Sequence, residues 1–276
     1  MNLYLADIIA HPNYIGVEKN KITLFWAGEH TIKNGGDMCK FMTDEEWSQM
    51  FILESYYYAR KNVYFPALRS KCKDLLLDSG AFSVMDSGMR VDSWDRYIEE
   101  YAAFINRYDI HKFIELDIEC VVGMKEVERL RAKLEHLTGR QCIPVWHKWR
   151  GLDYFKKMCD EYPYVCFGGL MSDGIKRADL EKVFPWFIAE AHKRGTKIHG
   201  LGYTPLDLAK KPFRFDSVDS SSWVSGNRFG HVYQFDPRQG VMKMCCKKAG
   251  QRVKHIESAV HNLHEWRKYQ QYLSTI

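Results

Sequence analysis

Three apolar stretches, far apart in the chain, each run into a carboxylate. Leu75-Leu76-Leu77 leads into Asp78-Ser79-Gly80-Ala81-Phe82, Phe113-Ile114-Glu115-Leu116 leads into Asp117, and Phe213 to Val218 leads into Asp219. Short apolar runs closed by small, turn-forming residues read as strands. If these are parallel strands of one barrel, their aspartates meet at its C-terminal mouth, where barrel enzymes hold their chemistry. Neighbouring carboxylates resist joint ionisation, and such a convergence points to an enzyme that uses paired carboxylates. Asp216 and Asp219 are three apart, and an odd separation on an extended strand points them to opposite faces. Asp219 lies where the strand gives way to Ser220-Ser221-Ser222, so Asp219 is assigned to the mouth and Asp216 to a structural bond.

Other strand ends supply possible binding groups. Asp78-Ser79-Gly80 is either a plain turn or a carboxylate followed by main-chain N–H groups aimed at a ligand. Asp117, a charge at the end of an apolar strand, is either a helix cap or internal salt-bridge partner, or a functional group. Cys166-Phe167-Gly168-Gly169-Leu170 ends in two glycines, where a flat ligand can approach the main chain. In Pro144-Val145-Trp146-His147-Lys148-Trp149, His147 is either a structural hydrogen-bonding residue or, between two tryptophans, a neighbour of an aromatic base. His199-Gly200-Leu201-Gly202-Tyr203-Thr204-Pro205 lacks the third glycine of a dinucleotide fingerprint. Cys245-Cys246 with His255 fits structural zinc spacing poorly, so no metal is expected.

The elements that must position these residues alternate. Strands are expected at Leu3–Ile8, Leu75–Phe82, Lys112–Cys120, Cys142–His147, Tyr164–Leu170, Lys197–Tyr203, Phe213–Asp219 and His231–Phe235. Between and after them come amphipathic helices at Ser93–Tyr108, Lys125–Leu137, Leu152–Tyr162, Leu180–Arg194 and Gln251–Leu273. Repeated β-α alternation implies a parallel sheet, and eight strands can close it into a single (β/α)8 TIM-type barrel spanning residues 1–276. The stretch at about 10–69 breaks the rhythm with an Asn34-Gly35-Gly36-Asp37 turn and a helix-like Asp44–Lys61 segment. It reads as an excursion after the first strand, laid over the mouth.

At 276 residues the chain matches one barrel better than two average domains, and 14% aromatic content can build a substantial core. No apolar run is long enough to span a bilayer and no basic, apolar leader opens the chain, so neither membrane nor secretion is expected. Eight cysteines scattered without framework spacing point to a reducing cytoplasm. A net charge of +5 permits a polyanionic partner without demanding one. Lys210, Lys211, Arg214 and Arg228 flank Asp219 and are either a solvated face or a basic rim for nucleic acid.

In collinear order, Asp-Ser-Gly-Ala-Phe at 78–82, Leu-Asp at 116–117, Phe-Gly-Gly-Leu at 167–170, Gly-Leu-Gly-Tyr-Thr-Pro-Leu-Asp-Leu at 200–208 and Phe-Asp-Ser-Val-Asp-Ser at 215–220 resemble the tRNA-guanine transglycosylase superfamily. The family's zinc cluster has no counterpart, its Gln after the first motif is Ser83, and its base-reading Gln is replaced by His147. The compact chain is therefore more similar to the DNA 7-deazaguanine transglycosylases of bacteria and bacteriophages. The resemblance implies exchange of guanine in a nucleic acid, DNA with tRNA as the alternative, for a 7-deazaguanine base such as 7-cyano-7-deazaguanine, without a separate cofactor. It implies Asp219 as nucleophile and Asp78 as acid/base. Asp117, His147, Ser79, Phe82, Gly168, Gly169 and Leu170 would hold the base, and Lys210, Lys211, Arg214 and Arg228 the backbone. A letter-for-letter match of Phe-Asp-Ser-Val would instead place the nucleophile at Asp216. A glycoside or nucleoside hydrolase, and a non-catalytic nucleic-acid-binding barrel, use the same residues differently.

Overall fold

A computed structural model describes residues 1–8, 15–18, 21–24, 43–62, 65–86, 93–169, 176–224, 229–246 and 255–276. Its strands are β1 (Asn2–Ala6), β2 (Ile15–Glu18), β3 (Lys21–Leu24), β4 (Phe51–Ser55), β5 (Asp74–Asp78), β6 (Val145–Trp146), β7 (Tyr164–Phe167), β8 (Lys197–Gly200), β9 (Ser217–Ser220), β10 (His231–Asp236) and β11 (Val241–Cys246). Seven of them form one sheet in the order β5-β4-β1-β9-β8-β7-β6, every neighbouring pair parallel.

The chain segment at Phe113–Ile114 joins the two edges of that sheet. Leu77 bridges Phe113 and Ile114 bridges Ile143, both parallel. The Ile114 N–H donates to the Leu77 carbonyl at 2.9 Å, and the Ile143 N–H donates to the Phe113 carbonyl at 2.8 Å. The result is a closed eight-stave barrel whose staves follow chain order. Closure leaves no exposed edge, and both faces of each stave are covered, so the strands read as near-continuous apolar runs. Tyr4, Ala6, Phe51, Leu53, Leu76, Ile114, Ile143, Val145 and Cys166 fill the interior, while Leu3, Leu5, Ile52, Leu75, Leu77, Phe113, Val165, Ile198 and Val218 pack outward against the helices.

Two expectations about the elements are corrected. The β10 strand is not a stave, because it pairs antiparallel with β11 across the turn ending at Gly240. The missing stave is β4, which lies inside the segment expected to be helical from Asp44 to Lys61. All five β4 residues are buried, so no polar alternation marks Phe-Ile-Leu-Glu-Ser as a strand, and the tyrosine-rich turn that follows does form a short helix at Tyr56–Ala59. The excursion after β1 therefore ends before Phe51 instead of near residue 69, and the Phe65–Lys71 helix is an ordinary crossover into β5. The Asn34-Gly35-Gly36-Asp37 turn lies outside the described residues.

The outer helices form where helical spacing places them. Trp94–Arg107 is capped by Ser93 and buries Tyr97, Ile98, Tyr101, Ala102 and Ile105. The Tyr101 hydroxyl reaches the main-chain oxygens of Leu77 and Ile114 at 3.2 and 3.1 Å, joining two staves at the narrow closure. Met124–Thr138 stops at Gly139, whose φ of 65° only glycine takes easily. The Leu152–Glu161 and Arg177–Lys193 helices follow β6 and β7. His255–Thr275 lies against β1 and β10. From it, Gln270 donates through Nε2 to the carbonyls of Leu3 (2.6 Å) and Phe51 (2.8 Å), and its Oε1 accepts from the Phe51 N–H. Among the described residues no helix is long and apolar enough to cross a membrane.

Candidate active site

The C-terminal mouth collects side chains from successive stave ends. Asp78 closes β5, Asp117 follows the Phe113–Ile114 stave, His147 follows β6, Gly168 and Gly169 follow β7, and Asp219 is in the last turn of the pleat of β9. In register, Asp219 lies opposite Tyr4 and Ser217 opposite His199, so both β9 side chains point into the barrel.

Among the described residues Asp78 accepts one hydrogen bond, from the Gly80 N–H at 3.0 Å. Gly80 has a φ of 75°, and a Cβ there would meet the Tyr57 nitrogen at 2.7 Å, so this tight turn requires glycine. The Asp78 carboxyl is pushed up to about 7, first by burial and then by the charge of Asp117, with smaller contributions from Asp219 and Asp7 opposing the Gly80 bond. Cys166, below these acids, has its thiol held well above the usual range by burial and then by Asp219, Asp117 and Asp78. It is therefore a packing residue and not a thiolate nucleophile.

Asp219 is held through one oxygen. Its Oδ1 accepts from the Gly202 N–H at 2.7 Å and lies 3.2 Å from His199 Nε2. Asp216 sits at the other end of the barrel, where its Oδ2 accepts from the Ile198 N–H at 2.8 Å and lies 2.9 Å from His192 Nε2. The letter-for-letter assignment thus puts a carboxylate outside the mouth.

Asp117 and His147 face each other, with Oδ2 3.3 Å from Nε2. The His147 ring is stacked on Trp149, 4.7 Å between centroids and 6° from parallel, and its buried Nδ1 has no hydrogen-bond partner among the described residues. Behind them Arg150 bonds both Glu119 oxygens, at 3.0 and 2.8 Å, and reaches Glu115 at 3.0 Å. Burial works against the Glu119 charge, but the Arg150 fork keeps its carboxyl below the ordinary range. A Cβ on Gly168 would lie 2.6 Å from Val145 Cγ1 and 2.8 Å from His147 Cε1, so glycine lets the imidazole sit against the strand end. From Gly168 and Gly169 a cleft of about 780 Å³ opens between Trp146, Trp149, Leu180 and Phe187.

Other expected site residues fall elsewhere. Ser79 is fully buried, its Oγ facing the Ala81 N–H and its carbonyl accepting from Tyr97, so it shapes the turn and does not line the mouth. Lys211 is tied to Glu181 and Asp207. Arg214 donates to the carbonyls of Ala209 and Phe213 and lies near the Met1 amino group, at the end of the barrel remote from Asp219. Lys210 is exposed. Leu170, Arg228 and the Phe82 side chain lie outside the described residues, as do the side chains of Cys246 and His255. Among the described residues no cluster of His, Cys, Asp or Glu is arranged to hold a metal ion.

Sequence reading missed the polar groups under Asp219. His199 and Ser217 are buried inside the barrel, and Tyr164 reaches Ser217 from β7. The available signal was a polar residue two places from another inward position, as in Ser217 and Asp219. Asp7, at a φ of 62° just after β1, was also missed, though its charge reaches Asp78.

No family model and no curated protein matches the chain. Solved structures resemble it at low identity. One is QR15, an aldolase (12% identical, covering 65% of this chain and 80% of its own, TM-score 0.43). Another is described as a fructose-1,6-biphosphate aldolase from Coccidioides immitis (12%, 84% and 85%, TM-score 0.46). A third is the carboxyl transferase domain of Rhizobium etli pyruvate carboxylase with oxalate (11%, 99% and 47%, TM-score 0.42). At these scores the likeness carries no argument about what this chain does.

Proposed function

We propose that this protein is an enzyme that exchanges guanine in DNA for a 7-deazaguanine base, such as 7-cyano-7-deazaguanine, through a covalent aspartyl-glycosyl intermediate. The observation that carries the reading is the convergence of Asp78, Asp117 and Asp219 at one barrel mouth, with the Asp78 carboxyl raised to about 7. The motif order from Asp78 to Ser220 supplies the substrate class. In the first step an Asp219 oxygen attacks the sugar's anomeric carbon, the bond to guanine breaks with its electron pair leaving on the ring, and Asp78 delivers a proton to that ring. In the second, Asp78 takes a proton from the incoming base, whose nitrogen attacks the same carbon and releases Asp219. Asp117 accepts from the purine's N–H edge, and the flat base lies against Gly168 and Gly169 beside His147. The target nucleotide leaves its stack to reach the mouth.

The test is incubation with duplex DNA, single-stranded DNA and tRNA, each with 7-cyano-7-deazaguanine, followed by digestion and mass spectrometry of nucleosides. Modified deoxynucleoside is the expected product. Incorporation only into tRNA moves the polymer to RNA, and release of base without incorporation makes the protein a hydrolase.

A further inference from the structure

Under the mouth, the barrel interior holds a line of polar side chains that leads to one oxygen of Asp219. Tyr164 is hydrogen-bonded to Ser217, Ser217 to His199 Nδ1, and His199 Nε2 lies 3.2 Å from Asp219 Oδ1. His199 is fully buried and Ser217 almost so, each pointing inward from its strand. Burial holds the Tyr164 hydroxyl well above its ordinary range, so it remains a donor. A carboxylate can only accept, and a neutral imidazole that donates from Nε2 accepts at Nδ1, so the arrangement that satisfies every atom runs from Tyr164 toward Asp219. Tyr164 O–H donates to Ser217 Oγ, Ser217 O–H donates to His199 Nδ1, and His199 Nε2–H donates to the carboxylate. Each bond polarises the next toward Asp219. With the Gly202 N–H also on Oδ1, Oδ2 accepts no hydrogen bond among the described residues.

We infer that His199 is the positioning residue of Asp219, its tautomer set by Ser217 and Tyr164, so that Oδ1 is anchored and Oδ2 is the oxygen that attacks. The catalytic half of this inference rests on the transglycosylase reading, but the tautomer half does not. An oxygen that already accepts two hydrogen bonds is a poor nucleophile, so anchoring one oxygen and freeing the other selects both the atom and its direction.

Two measurements test it on the full chain. The first is nitrogen NMR of the histidine side chains, with His199 assigned by its loss in His199→Gln. The unmodified protein is expected to show His199 as the Nε2–H tautomer, and Ser217→Ala to give a mixture. A Nδ1–H tautomer in the unmodified protein, or no change in Ser217→Ala, overturns the inference. The second compares exchange by His199→Gln, which keeps an N–H donor, with His199→Leu, which does not. The leucine variant is expected to lose about tenfold to a hundredfold in kcat with KM for the incoming base unchanged, and the glutamine variant to recover part of it. Should His199→Leu fail to fold, Ser217→Ala is expected to lower kcat with the same KM signature. Equal losses in the two folded His199 variants, or losses confined to KM, refute positioning. If the unmodified protein exchanges no base, the transglycosylase reading fails while the NMR result still decides the tautomer.

Discussion

The two ends of the barrel handle the same residue type in opposite ways. The β5 strand begins and finishes with aspartate. At its start, Asp74 accepts from the Tyr4 hydroxyl at 2.6 Å and is paired with Lys112. At its finish, Asp78 has one main-chain donor among the described residues and faces further carboxylates. The segment running into β9 repeats the contrast, with Asp216 just before the strand bonded at the lower end to Ile198 and His192 and Asp219 at the mouth leaving one oxygen unbonded among the described residues. Charges are neutralised where the barrel only needs to hold together. Like charges are crowded where it can act on a ligand, and a folded chain tolerates that cost at a functional site.

The largest effect should come from separating the β9 pair. Asp219→Asn is expected to abolish base exchange and any covalent protein–DNA adduct on a denaturing gel, whereas Asp216→Asn keeps both if it folds. An adduct from Asp219→Asn would remove the contrast.

Next comes Asp78→Asn, expected to lower turnover by about 10²- to 10⁴-fold as a lost acid/base. It should also stabilise the fold on the alkaline side. The Asp78 carboxyl is raised from an unfolded value of 3.8 to about 7, so the native state binds more protons between those values. Stability from this group is greatest below the lower value and falls as pH rises toward the upper one. Denaturant melts at pH 8 should show the variant more stable than the parent by on the order of a few kcal/mol, a difference that shrinks toward pH 4. In the same way, exchange should decline as pH rises past about 7.

At the lower end the prediction reverses. Lys112→Met leaves Asp74 without its cation and should cost about 1–2 kcal/mol in a urea melt, discounted because both side chains are partly exposed, with exchange activity retained. The smallest effect concerns the basic residues. Arg214→Ala is expected to leave the salt dependence of DNA binding unchanged, since its guanidinium is engaged with main-chain carbonyls, while loss of the exposed Lys210 in Lys210→Ala lowers the slope by less than about one. An Arg214 effect as large as that of Lys210 would mean that the polymer draws Arg214 away from those carbonyls.

What could be read in the sequence follows from how each residue is exposed to pattern. Asp78, Asp117 and Asp219 were legible because a charge at the end of an apolar run stands out, and the long helices because one face repeats every three to four residues. The β4 strand was not, since a strand buried on both faces carries no alternation and five residues are too few for length to decide. The β10 strand imitated a stave because alternation alone does not tell a surface hairpin from a barrel strand, although the Asp236-to-Gly240 turn was a hairpin signal. The chain of His199, Ser217 and Tyr164 was hidden for another reason. It joins three separate strands, and no spacing within one segment reports a contact across a barrel.

Gln270 has a consequence for how the protein is made. Its amide ties the main chains of β1 and β4 together, and Leu3 is 267 positions away from it. A ribosome delivers β1 some 267 residues before this glutamine, so β1 waits through that stretch of synthesis for the groups that complete its surroundings. Its β9 partner also comes late, pairing Leu3 with Val218. Contacts this distant in sequence make closure slow and leave the early staves open to mispairing meanwhile. A chain interrupted shortly before Gln270 has Asp78, Asp117 and Asp219 but lacks the clamp between β1 and β4, so its first two staves are held by their mutual pairing and by their neighbours β9 and β5.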